Sequence, residues 1–128
     1  MAFSVDKWPV KGLMNSEVVV AARYAGGGAA SDMTKVAGRG IDSVKYNSAT
    51  GAYIIKFTSV GPTWLGCQLT VLSAGTTAGQ RVANPVVYSA SARTLTVFIT
   101  DTATPTAKDL ATTEELQIFS IWSDSSQA

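Results

Sequence analysis

Nine carboxylates, one thiol, three indoles and no imidazole set the chemistry open to this chain. A thiol nucleophile wants a base beside it, and without histidine Cys67 has none of the usual kind. Cys67 alternates with Leu69 and Val71, a spacing that predicts a small buried hydrophobe rather than a reactive group. A single cysteine also permits no internal disulfide. The absence of histidine removes most zinc and acid–base designs and any Ser-His-Asp triad. Of the acidic residues Asp6, Glu17, Asp32, Asp42, Asp101, Asp109, Glu114, Glu115 and Asp124, nearly all fall in expected loops or at strand ends, with Asp42 early in a strand and facing out. Solvated carboxylates are ordinary there, although a pair could in principle serve glycoside hydrolysis. No Asp-x-Asp-x-Asp/Asn-Gly calcium loop is present. Gly26-Gly27-Gly28 could cradle a phosphate only with a helix behind it and a Gly-Lys-Ser/Thr signature. The next residues are instead Ala29-Ala-Ser-Asp-Met-Thr-Lys35, so a flexible surface loop is expected. Arg39, between Gly38 and Gly40, is either a carboxylate contact or a solvated loop residue. The expectation is a protein that is not an enzyme and takes no cofactor or metal.

Binding chemistry is left. Exposed aromatic rings on a β-sandwich can serve as stacking platforms for sugars, and Trp8, Trp64 and Trp122 are the rings to consider. Trp64 and Trp122 lie in apolar strand patterns, which places them in a core or an interface; Trp8 is open. The net charge is +1 and the ten Lys and Arg are scattered. Nucleic-acid binding needs them clustered, so no nucleic-acid partner is expected. No apolar run approaches the roughly 20 residues of a spanning helix, so no membrane partner is expected. The start, Met1 to Pro9, lacks a basic stretch followed by an apolar block, and synthesis in a cytoplasm is the corresponding expectation.

These residues must be positioned by strands. Ile41 to Tyr46, Tyr53 to Thr58, Trp64 to Leu72 and Arg93 to Ile99 are β-branched and aromatic runs joined by short polar turns, the pattern of an antiparallel meander. Val44 and Tyr46 share one face, as do Tyr53, Ile55 and Phe57. Asn47-Ser-Ala-Thr-Gly51 fits a type I turn closed by a glycine in the left-handed region. Pro85 to Tyr88 and Leu95 to Ile99 form a second hairpin around Ser89 to Arg93. Glu17 to Tyr24 is a first strand. Ser73 to Asn84 and Asp101 to Thr113 are loops, the second with a possible helical turn at Lys108 to Thr112. The last strand, Glu115 to Trp122, is apolar on both faces, with Leu116, Ile118 and Trp122 on one side and Phe119 and Ile121 on the other. Such a strand is central in a sandwich or lies under a subunit contact.

Residues 1–15 read as an extended N-terminal arm and 16–128 as a single β domain. The arm is too apolar for a disordered tail, with Phe3, Val5, Trp8, Val10 and Leu13, and it either folds over its own core or reaches a neighbouring subunit. The fold class is all-β, an antiparallel β-sandwich or flattened barrel of about seven strands. Only 15% of residues are charged, against about 25% in ordinary domains, which suits either a neutral Thr-rich surface or one covered by partners.

Taken as a series, Gly38-Arg-Gly-Ile-Asp-Ser-Val-Lys-Tyr-Asn-Ser-Ala-Thr-Gly-Ala-Tyr-Ile-Ile-Lys-Phe57, then Trp64-Leu-Gly66, then Arg93-Thr-Leu-Thr-Val97 and the apolar last strand resemble small structural proteins of tailed-bacteriophage virions. The likeness spans roughly residues 17–123 and rests on turn and strand chemistry. It implies a capsid decoration (cement) protein, without catalysis or cofactor, that sits on the outer shell as a homotrimer and binds the major capsid protein. It equally implies location on the virion surface. On that reading the arm (Phe3, Val5, Trp8, Val10, Leu13) contacts capsid or subunit, and Phe119, Ile121 and Trp122 pack the oligomer. The alternative is a tail or head-fibre adhesin presenting loops 26–34 and 101–113 to a glycan, or a free carbohydrate-binding β-sandwich module.

Overall fold

The computed structural model describes residues 17–72, 81–101 and 106–123. The arm and its candidate contacts Phe3, Val5, Trp8, Val10 and Leu13 lie outside the described residues. Among the described residues eight strands run in chain order: β1 (Glu17–Ala25), β2 (Thr34–Gly38), β3 (Ile41–Asn47), β4 (Ala52–Phe57), β5 (Thr63–Leu72), β6 (Arg81–Ser89), β7 (Thr94–Asp101) and β8 (Glu115–Ser123). They form two four-stranded sheets, ordered β2-β1-β8-β5 and β3-β4-β7-β6, with every pairing antiparallel. This is a β-sandwich.

Alternation builds the core. Val20, Ala22 and Tyr24 of β1 and Leu116, Ile118 and Trp122 of β8 point inward from the first sheet. Tyr53, Ile55 and Phe57 of β4 and Leu95, Val97 and Ile99 of β7 meet them from the second, and all are buried. A period of two places each set on one side of its pleat. The two central pairs, β1/β8 and β4/β7, therefore carry most of the apolar burial. Tyr24 ties the layers together, its hydroxyl donating to the Ile41 carbonyl at 3.3 Å.

Two elements differ from expectation. Strand β2 has no apolar alternation because all five of its residues are exposed. Strand β6 begins at Arg81, four residues before the expected Pro85, because Arg81 to Asn84 pair with Phe98 to Asp101. Residues Lys108 to Thr112 form no helical turn. Ala107 bridges to Thr100, and buried Leu110 donates its N–H to the Tyr53 hydroxyl at 3.1 Å. That segment is held by the core instead of by its own backbone.

The glycine loop after β1 is likewise tied down. Gly26 donates to the Glu114 carbonyl at 2.8 Å and Gly28 to that of Leu110 at 3.1 Å. A side chain at Gly26 would strike the backbone of Leu110 and Ala111. Its glycine serves a close approach of two chain segments rather than a free loop.

Candidate functional site

Phosphate and carboxylate chemistry find no assembled site among the described residues. Asp32 accepts the N–H of Tyr46 at 2.7 Å and Asp109 that of Ala30 at 2.9 Å. Glu114 accepts from Ala111 at 2.9 Å, and Glu115 pairs with Arg23 at 2.9 Å. Asp101 lies between Arg81 at 3.1 Å and Lys108 at 3.7 Å. Each of these carboxylates holds a loop or pairs a neighbouring cation. Among the described residues no three His, Cys, Asp or Glu side chains converge as a metal-binding group. Cys67 is partly buried, and burial pushes its thiol up, which disfavours the thiolate a nucleophile needs. Arg39 is exposed and makes no ion pair among the described residues.

Two surfaces stand out instead. The first is the outer face of the β2-β1-β8-β5 sheet. Residues directly opposite across a ladder share a face. Ile121 pairs with Val19 on one side and Gly66 on the other, and Phe119 pairs with Ala21 and Gln68. Phe119 is 52% exposed, Val19 54% and Leu65 45%, while Ile121 is half-buried. Farther along the same strands the face turns polar, with Arg23, Gln117 and Thr70 in one row and the Arg23–Glu115 ion pair at its end. The apolar half thus lies at the Ser123 end of the sheet.

Phe119 and Ile121 stand on this outer face. Trp122 does not, and its assignment to oligomer packing is corrected. Trp122 is 1% exposed, and its ring lies edge-on to Phe57 at 5.3 Å and to Tyr88 at 6.0 Å. It shares the inward parity of Leu116 and Ile118, so the chain's own core consumes its surface.

The second surface is a cleft of about 690 Å³ between the β4–β5 turn at Ser59 to Pro62 and the β6–β7 hairpin. Two edge-strand bulges make it. In β5 the register slips between Trp64 and Gly66, leaving Leu65 as the extra residue; in β6 it slips between Pro85 and Val87, leaving Val86. A bulge re-aims the side chains on either side of it. Here Trp64 and Tyr88, from different sheets, are turned toward each other and stack at 4.4 Å with an interplanar angle of 18°. The Trp64 indole donates to the Ser120 hydroxyl at 2.9 Å, which donates in turn to the Gly66 carbonyl at 3.0 Å. Arg93 lines the same cleft. Burial pushes the Tyr88 phenol up while the positive charge of Arg93 pulls it down, burial being the larger, so Tyr88 keeps its proton at neutral pH.

The sequence pattern places Trp64 in a core or an interface and does not single out Tyr88 or Arg93. A bulge leaves only a faint trace, here Gly66 and Pro85, residues that fit irregular edge positions.

The class that the strands and their order define is an all-β, two-sheet antiparallel sandwich. Beyond that class, no family model, no curated protein and no solved structure matches the chain.

Proposed function

We propose that the chain is a virion structural protein, a capsid decoration (cement) protein that binds the outer surface of the major capsid protein shell and stabilises it, and that it is not an enzyme. The observation that carries this reading is the exposed apolar half-face built from Val19, Leu65, Phe119 and Ile121. Soluble monomers rarely leave such rows uncovered, and apolar patches of this kind mark contacts between proteins. Strand β1 begins at the same end of the sheet, where Glu17 pairs with Ser123. On this reading Phe119 and Ile121 pack between copies in a homotrimer, and Phe3, Val5, Trp8, Val10 and Leu13 contact the shell or a neighbouring subunit. Binding to an assembled lattice and not to its dissociated subunits stabilises the lattice by mass action, and several linked contacts add avidity.

The test is cosedimentation of the purified chain with assembled shells of the major capsid protein, for the wild type, Phe119→Asp and a form lacking residues 1–14. Saturable pelleting of the wild type, lost in the truncated form, is expected; Phe119→Asp should lower the oligomeric mass in light scattering. A wild-type chain that stays in the supernatant at every shell concentration sinks the reading.

A further inference from the structure

We propose that the cleft between the β4–β5 turn and the β6–β7 hairpin binds a pyranose that carries a carboxylate, with the Trp64–Tyr88 pair as the ring platform and Arg93 as the carboxylate partner. None of Val19, Leu65, Phe119 and Ile121 lines the cleft, and the proposal does not rest on the capsid reading.

Two observations carry it. First, the cleft is lined by the half-buried Trp64 and Tyr88, with the buried Trp122 behind them, and among the described residues by no acidic one. Trp64 and Tyr88 are only half-buried, so their stacked pair keeps an outer surface. The C–H face of a pyranose matches such a surface while its hydroxyls face the polar rim, which Ser59, Thr63 and the Tyr88 hydroxyl supply.

Second, the one charged group among the described lining residues is Arg93, and it makes no ion pair among the described residues. Arg93 holds a left-handed backbone at φ 54°. The corresponding position of the β3–β4 hairpin is Gly51, at φ 77°. Glycine would adopt this conformation without strain, and strained residues cluster at ligand sites; of the two left-handed non-glycine residues described, Ala30 and Arg93, only Arg93 carries a side chain that could hold a ligand. A guanidinium presents two parallel N–H donors to one carboxylate. An uncharged apolar ligand would leave it unpaired.

The experiment is calorimetric titration of the full chain with tri-galacturonate and with 3′-sialyllactose, each compared with its carboxyl-reduced form. Binding of at least one acid is expected, weakened about tenfold or more by reduction of the carboxyl and by Arg93→Gln, since each removes one side of a charge-assisted contact. Binding of the uronate alone assigns the cleft to uronic-acid polymers; binding of the sialoside alone assigns it to sialylated chain ends. Trp64→Phe should remove the fluorescence change that accompanies binding. The proposal is overturned if neither acid binds, if the reduced sugars bind as tightly, or if Arg93→Gln binds like the wild type. Shell pelleting by Arg93→Gln stays at the wild-type level whichever way the sugar titration falls, so the two readings fail separately.

Discussion

The β3–β4 and β6–β7 hairpins have the same loop and opposite uses. Each joins paired residues, Asn47 with Ala52 and Ser89 with Thr94, through four turn residues, and each ends its turn on a left-handed residue. In the first that residue is Gly51. Asn47 fixes the turn, its carbonyl accepting from Gly51 at 2.8 Å and its side chain from Ala49 at 3.0 Å. Beneath it Tyr46 and Tyr53 meet edge-on at 5.4 Å, and the Tyr53 hydroxyl anchors Leu110. Each of these polar groups holds structure. In the second hairpin the left-handed residue is Arg93, whose guanidinium joins no ion pair among the described residues, and below it Trp64, Tyr88 and Trp122 frame an open cleft. The same turn geometry is satisfied without strain in one place and at a conformational cost in the other. On the proposed reading, the difference marks the second hairpin as the one with a task besides folding.

Substitutions can break that contrast. The largest effect is expected from Trp122→Ala, which empties the core under the second hairpin. Phe/Trp→Ala losses run about 3–5 kcal/mol, and Trp122 contacts both Phe57 and Tyr88. Denaturant unfolding should show a loss of that order. A loss below about 1 kcal/mol would mean that the cleft end is already loosely packed. Tyr53→Phe comes next. It removes the acceptor of a buried N–H and should cost about 1–3 kcal/mol, measured in the same way; an unchanged midpoint would mean that the Leu110 N–H finds another acceptor. Gly51→Ala ranks third at about 1 kcal/mol, because a side chain in the left-handed region is strained. The added Cβ would also lie 3.3 Å from that of Ala107.

Legibility in the sequence depends on how local each feature is. The Asn47 to Gly51 turn and the inward faces of β3, β4, β7 and β8 are written in neighbouring residues, and the structure has them as the sequence implies. Strand β2 is hidden because no residue in it is buried, so it shows no period. The parity of Trp122 with Leu116 and Ile118 is visible and points inward, yet a strand apolar on both sides invites assigning its large ring to a partner. The cleft is the least legible. Its stacked pair joins Trp64 and Tyr88, far apart in sequence and in different sheets, and depends on two bulges, each a one-residue slip that reverses which face later residues occupy. Arg93 carries no sequence mark of its backbone conformation, because a left-handed arginine and an ordinary one are written alike.

The smallest expected effect bears most directly on the contrast between the hairpins. Arg93→Gly removes left-handed strain, worth about 1–2 kcal/mol for a residue with a Cβ, but adds the backbone entropy of glycine to the unfolded chain, about 0.5–1 kcal/mol. The balance is a gain of about 0.5–1 kcal/mol, or about 2–4 °C in Tm for a domain of this size. No described ion pair is lost to offset it. A folding role for the side chain predicts the opposite sign. A rise in Tm together with lost binding of acidic sugar would show that Arg93 is kept against the preference of the fold. A fall in Tm would show instead that its side chain braces the hairpin, and the second turn would then be as purely structural as the first.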